Sequence, residues 1–98
     1  MKPYRFHPQA EAELVEAALH YAAISAELGQ RFYRNMNELI AAICSSPARF
    51  WAFMPPFQWH YRAPFPYAVI FIEKPDHILI VAVSPFKRRP GYWRERIK

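Results

Sequence analysis

Tyr67-Ala68-Val69-Ile70-Phe71-Ile72 and Ile78-Leu79-Ile80-Val81-Ala82-Val83 are two continuous apolar runs, separated by Glu73-Lys74-Pro75-Asp76-His77. Each run has the length of a strand, and Lys74-Pro75-Asp76 supplies the chemistry of a tight turn, so the pair reads as an antiparallel hairpin over 67–73 and 77–84. A sheet with one wet face alternates apolar and polar residues. These runs do not alternate, so both faces of the two strands need cover.

Upstream, Phe57 to Arg62 reads as a third strand, and Pro3 to Phe6 as a short one with Tyr4 and Phe6 on one side. His7-Pro8 opens a helix, because proline at the first helical position gives up no hydrogen bond. Leu14, Ala17, Ala18, Tyr21, Ile24 and Leu28 recur at helical spacing as one apolar face, and Gly29 suits the left-handed turn that closes a helix. Phe32, Met36, Leu39, Ile40 and Ile43 mark a second helix, stopped by Ser45-Ser46-Pro47. Neither helix is stable alone in water at this length, so the two form a hairpin on a common surface. The expected fold is α+β in the order β-α-α-β-β-β, a helical hairpin packed on a small antiparallel sheet, as one domain over 1–98. Two helices cover only one sheet face. Either the loop from Ala48 to Pro56, with Phe50, Trp51, Phe53 and Met54, folds across the other, or a partner does.

The chain has 98 residues, 53% of them hydrophobic, enough apolar surface to offset the entropy of ordering. Its longest apolar runs are about six residues, against the ~20 that a membrane span needs. With no secretory signal at the start and Cys44 as the single cysteine, a cytoplasmic location is expected. The formal net charge is +5, and it is unevenly placed. From residue 85 onward, Lys87, Arg88, Arg89, Arg94, Arg96 and Lys98 face Glu95 alone, whereas the rest of the chain is nearly neutral. Such a concentration either attracts phosphates or an acidic protein, or simply solvates a tail.

Several chemistries are poorly supported. His7, His20, His60 and His77 share no ligand spacing, so no metal is expected. Cys44 lies in a helix beside the apolar stripe, away from the basic tail, which does not suit a nucleophile. Two glycines, Gly29 and Gly91, cannot build a phosphate loop. What remains is basic and aromatic: His60, Tyr61 and Arg62 on one strand, then Lys87, Arg88, Arg89, Tyr92, Trp93 and Arg94 after the last. Guanidinium groups grip phosphate and rings stack on bases. The same residue types also anchor protein interfaces.

In order and spacing these residues resemble the RelE and ParE toxin superfamily of bacterial type II toxin–antitoxin modules. The marks are Phe6-His7-Pro8-Gln9-Ala10, Ala18 to Tyr21, Leu28-Gly29-Gln30-Arg31-Phe32, Ser46-Pro47, Phe65-Pro66-Tyr67 with Phe71, Ala82-Val83, and Arg89-Pro90-Gly91-Tyr92-Trp93-Arg94. The resemblance covers nearly the whole chain. It implies a β-α-α-β-β-β fold, no cofactor, and a cognate antitoxin whose C-terminal segment wraps the toxin. It also implies one of two targets. Members similar to RelE cut mRNA on the ribosome; on that reading His60, Arg62, Lys87, Arg88 and Tyr92 form the site, with His60 as proton carrier. Members similar to ParE bind DNA gyrase; on that reading Arg62, Lys87, Arg88, Arg89, Tyr92, Trp93 and Arg94 contact it. Cleaving members place an arginine after the tyrosine that begins the third strand, where this chain has Ala68. Many plasmid-stabilisation members carry a histidine where this chain has Pro85. A missing charged contact to the transition state costs roughly 10²–10³ in rate. The departures favour gyrase binding over cleavage, with a non-toxic nucleic-acid-binding or interaction domain as the third alternative.

Overall fold

In the computed structural model of the chain, which describes residues 1–97 and only the backbone of Trp51 and Phe53, the two apolar runs are adjacent antiparallel strands. The element order is β1 (Tyr4–Phe6), α1 (Pro8–Ile24), α2 (Ala26–Ser45), a 3₁₀ turn (Pro47–Arg49), β2 (Trp51–Met54), β3 (Phe57–Tyr61), β4 (Tyr67–Glu73), β5 (Ile78–Pro85) and a second 3₁₀ turn (Arg94–Arg96). The strands form one five-stranded sheet in the order β1-β5-β4-β3-β2. Lys74 N donates to His77 O at 2.8 Å, closing the turn expected between β4 and β5.

The sheet is mixed, not antiparallel as expected: β1 runs parallel to β5, with Tyr4, Arg5 and Phe6 opposite Ile78, Leu79 and Ile80. The cause is β2, a strand where the sequence was read as a loop. If the chain reverses at each connection, β1 and β5 are the first and seventh major elements and run the same way. With β2 left out, β5 becomes the sixth and would run opposite.

Ser25 joins the helices without a loop. Its extended backbone ends α1, and its hydroxyl oxygen accepts from Leu28 N at 3.0 Å to begin α2. Gly29 therefore closes no helix; it lies buried inside α2. A Cβ on it would sit 2.8 Å from Ala22 Cβ, so glycine there serves the close approach of α1. Leu14 and Ala17 are buried, and Ala18, Tyr21 and Leu28 pack on the core, but Ile24 is exposed at the end of α1, outside the expected apolar face. All five apolar markers of α2 are buried, as is Cys44, whose thiol burial pushes up.

The core has two parts, one on each sheet face. Val69, Phe71, Ile78, Ile80 and Val83 join the helices on one side; Ala68, Ile70, Ile72, Val81 and Ala82 form the other cluster with Phe57 and Trp93. The register between β4 and β5 shifts at Ile70/Phe71, so that Val81 and Ala82, although adjacent, belong to the same cluster. The 48–56 segment expected to cover this second face is in part a strand, β2, and its share of the cover is described only in part. Phe50 packs on the helix side, Met54 alone of its described apolar side chains joins the second cluster, and the side chains of Trp51 and Phe53 lie outside those described. Among the described residues the C-terminal segment also covers this face: Trp93 is 3% exposed, with Tyr92 and Ile97 beside it.

Candidate functional site

β1 stops at Phe6, opposite Ile80, while β5 continues to Pro85. Two side chains take up the backbone groups of that overhang. Glu13 Oε1, from α1, accepts from Val83 N at 3.0 Å, and Arg96 Nη1, from the C-terminal turn, donates to Val81 O at 2.9 Å. The two side chains also meet in a fork: Arg96 Nη1 and Nη2 each donate to Glu13, both at 2.9 Å. The Tyr92 hydroxyl donates to Glu13 Oε2 at 2.6 Å. One carboxylate thus gathers a helix, a strand and the tail.

This network sets the local charges. Burial alone would push the Glu13 carboxyl up, but hydrogen bonds from Arg96, Tyr92 and Val83 N hold it below its ordinary value. The Tyr92 phenol is pushed up to about 12, first by burial and then by the Glu13 carboxylate that its proton serves. Arg96 is held charged, mainly by its bonds to Glu13.

Arg88 is the most centrally placed of the basic residues. Its guanidinium carbon lies 3.7 Å from the centre of the Tyr92 ring, and Nη1 is 3.6 Å from Glu13 Oε2, yet half of its side chain is exposed. Three depressions meet at it. A half-enclosed cleft of ≈ 270 Å³ holds Glu16, His20, Tyr67 and Lys87. An apolar groove of ≈ 350 Å³ on the second sheet face holds Trp59, Tyr61, Phe86 and Trp93. The third, ≈ 350 Å³, holds Gln9, Arg89, Tyr92 and Arg96. Lys87 and Arg89, which line two of these depressions with it, are exposed, as is Arg94 farther along the tail. Trp93, in contrast, is core.

His60 and Arg62 do not join this cluster. His60 stacks on Phe50 at 4.1 Å, and Phe50 packs with the helix-side core. Burial pushes its imidazole down, and Arg49 and Arg62 push it further, so it is neutral at neutral pH. Arg62 reaches back to Glu38 of α2 at 3.5 Å. Tyr61, between them, instead lines the apolar groove and meets the exposed Phe86 edge to face at 5.2 Å. The structure thus brings together Lys87, Arg88, Arg89 and Tyr92 and leaves His60 and Arg62 apart; Arg94 lines none of the three depressions.

Glu13 and Arg96 were missed as site residues, Glu13 because it reads as one more glutamate on a polar helix face. The signal was its position one residue before Leu14, at the margin of the apolar stripe. Among the described residues no group of His, Cys, Asp or Glu is arranged to hold a metal. No helix among them is long and apolar enough to cross a membrane.

No family model and no curated protein matches the chain. Among solved structures it is similar to one described as the chromosomal ParDE TA system from P. aeruginosa, with 15% identity over 89% of this chain and 98% of that chain. The TM-score is 0.75, so the two share a fold.

Proposed function

We propose that the chain is the toxin of a type II toxin–antitoxin module, that it inhibits growth by binding DNA gyrase through the basic edge centred on Arg88, and that a cognate antitoxin neutralises it. The fold it shares with a component of a ParDE system supports the module assignment. The observation that carries the choice of binding over cleavage is the state of Tyr92. Its proton is committed to Glu13 and its phenol is pushed up to about 12, which leaves it a poor proton carrier near neutral pH. His60, the other expected proton carrier, stacks on Phe50 apart from the Arg88 cluster. A mRNA-cutting site needs a proton carrier beside its cations. Here neither expected carrier serves the cations, and a surface of exposed Arg and Lys suits recognition of an acidic partner.

The apolar groove beside the edge gives the antitoxin a place to bind. Tyr61 and Phe86 are exposed large hydrophobics at its wall, and Arg88 lines it too, so an acidic segment with apolar anchors fits both.

Induction of the chain in bacteria, with and without its neighbouring gene, tests the module: growth arrest relieved by the neighbour is expected, and unaffected growth contradicts it. Mapping mRNA ends in the same cells tests the target. An SOS response without cuts is expected; codon-positioned cuts would transfer the reading to the ribosome-dependent nuclease.

A further inference from the structure

We propose that Glu13 is a positioning residue of the basic edge: held in a fork by Arg96, it fixes the Tyr92 ring as a platform for Arg88 and leaves the Arg88 charge free for the target. The proposal rests on the toxin reading above. Four groups make the argument. Glu13 carries one negative charge, Arg96 and Arg88 one positive charge each, and Tyr92 none, so the cluster has one cation in excess. Geometry decides which. Arg96 is 9% exposed and makes two 2.9 Å bonds to the carboxylate, so it neutralises Glu13. Arg88 is the looser ion-pair partner of the same carboxylate, at 3.6 Å, outside hydrogen-bond distance and with half its side chain in solvent. The surplus charge is therefore displayed by Arg88. Its direction is set by the Tyr92 face, 3.7 Å away, and that ring is pinned by its hydroxyl to Glu13. The carboxylate is itself anchored to the backbone through Val83 N.

This arrangement makes a prediction about charge that a simple packing role does not share. Without the fork, Arg88 is the next cation within reach of Glu13, and the carboxylate draws it inward. Growth inhibition by the full chain under graded induction, normalised to soluble protein, reads the effect. Arg96→Gln is expected to reduce toxicity about tenfold, the scale of one charge-assisted contact. Adding Glu13→Gln removes the carboxylate that captures Arg88, while the isosteric amide oxygen can still accept from Val83 N. The double variant is expected to recover to within about threefold of the parent chain. If the pair merely packs, the double variant is no more toxic than the single one. That result, or full toxicity of Arg96→Gln, overturns the assignment of Glu13.

Arg88→Ala separates this from the reading beneath it. If Arg88→Ala remains fully toxic, or the parent chain is harmless, the basic edge falls and the role of Glu13 with it. If Arg88→Ala loses toxicity and the charge rescue fails, only the positioning role falls. Should Arg96→Gln not accumulate in soluble form, Tyr92→Leu decides, since it removes the platform and leaves the ion pair. A loss of about tenfold supports the proposal, and unchanged toxicity overturns it.

Discussion

Glu13 accepts from a strand amide, a phenol and a guanidinium, and its titration follows from that count. Its folded carboxyl is held below the value it has in the unfolded chain, so it contributes stability above the ordinary carboxylate range. That contribution is lost as the pH falls through the folded value. Urea unfolding measured between neutral and acidic pH should show this loss, and Glu13→Gln should flatten the acidic limb of the curve. Tyr92 has the opposite sign: its phenol is raised, so the neutral form is favoured by folding and its contribution disappears as the pH rises toward 12. Alkaline titration followed by ultraviolet absorbance should show one tyrosine ionising near 12, and Tyr92→Phe should remove that step. At this scale the sequence was only partly legible. Arg88 and Tyr92 stood out by type and position. Glu13 did not, because what distinguishes it is the unpaired end of β5, a property of strand lengths in space.

Among the elements, the helical hairpin and the C-terminal cover carry the sharpest consequences. Gly29→Ala would ordinarily strengthen a helix by up to about 1 kcal/mol. Here the new Cβ meets Ala22 Cβ at 2.8 Å and Ala22 Cα at 2.9 Å, so the helices must move apart. A net loss of about 1–3 kcal/mol in urea unfolding is expected. Adding Ala22→Gly should recover part of it, because it removes the Cβ that clashes. Trp93→Ala removes a buried ring from the second sheet face and should cost about 3–5 kcal/mol, read as a fall in the urea midpoint. The alternation test worked for β4 and β5, because the absence of alternation is a local property. It showed that the second face is covered but not by what. The C-terminal tail looked solvated by charge, yet Trp93 and Ile97 carry an apolar side inward while Arg94 and Glu95 stay exposed. β2 was missed because Pro47, Pro55 and Pro56 frame it as a loop, and an edge strand needs only one partner. The parallel pairing of β1 was lost with it.

For the whole molecule, the uneven distribution of charge was legible from residue counts, and folding redistributes it. Arg96 is used internally, whereas Lys87, Arg88 and Arg89 remain at the surface around one point and Arg94 is exposed farther along the tail. The separation of His60 from that point depends on which face of β3 it occupies, something periodicity does not fix when both faces are covered. The double variant Arg88→Ala/Arg89→Ala should keep the fold and its melting temperature nearly unchanged, since exposed charges contribute ~0–1 kcal/mol. What it removes is the surface for the target. The most direct measurement is the supercoiling of relaxed plasmid by purified gyrase in the presence of the purified chain. The account predicts inhibition by the parent chain and about tenfold weaker inhibition by the double variant; supercoiling at the uninhibited rate with saturating parent chain would contradict it.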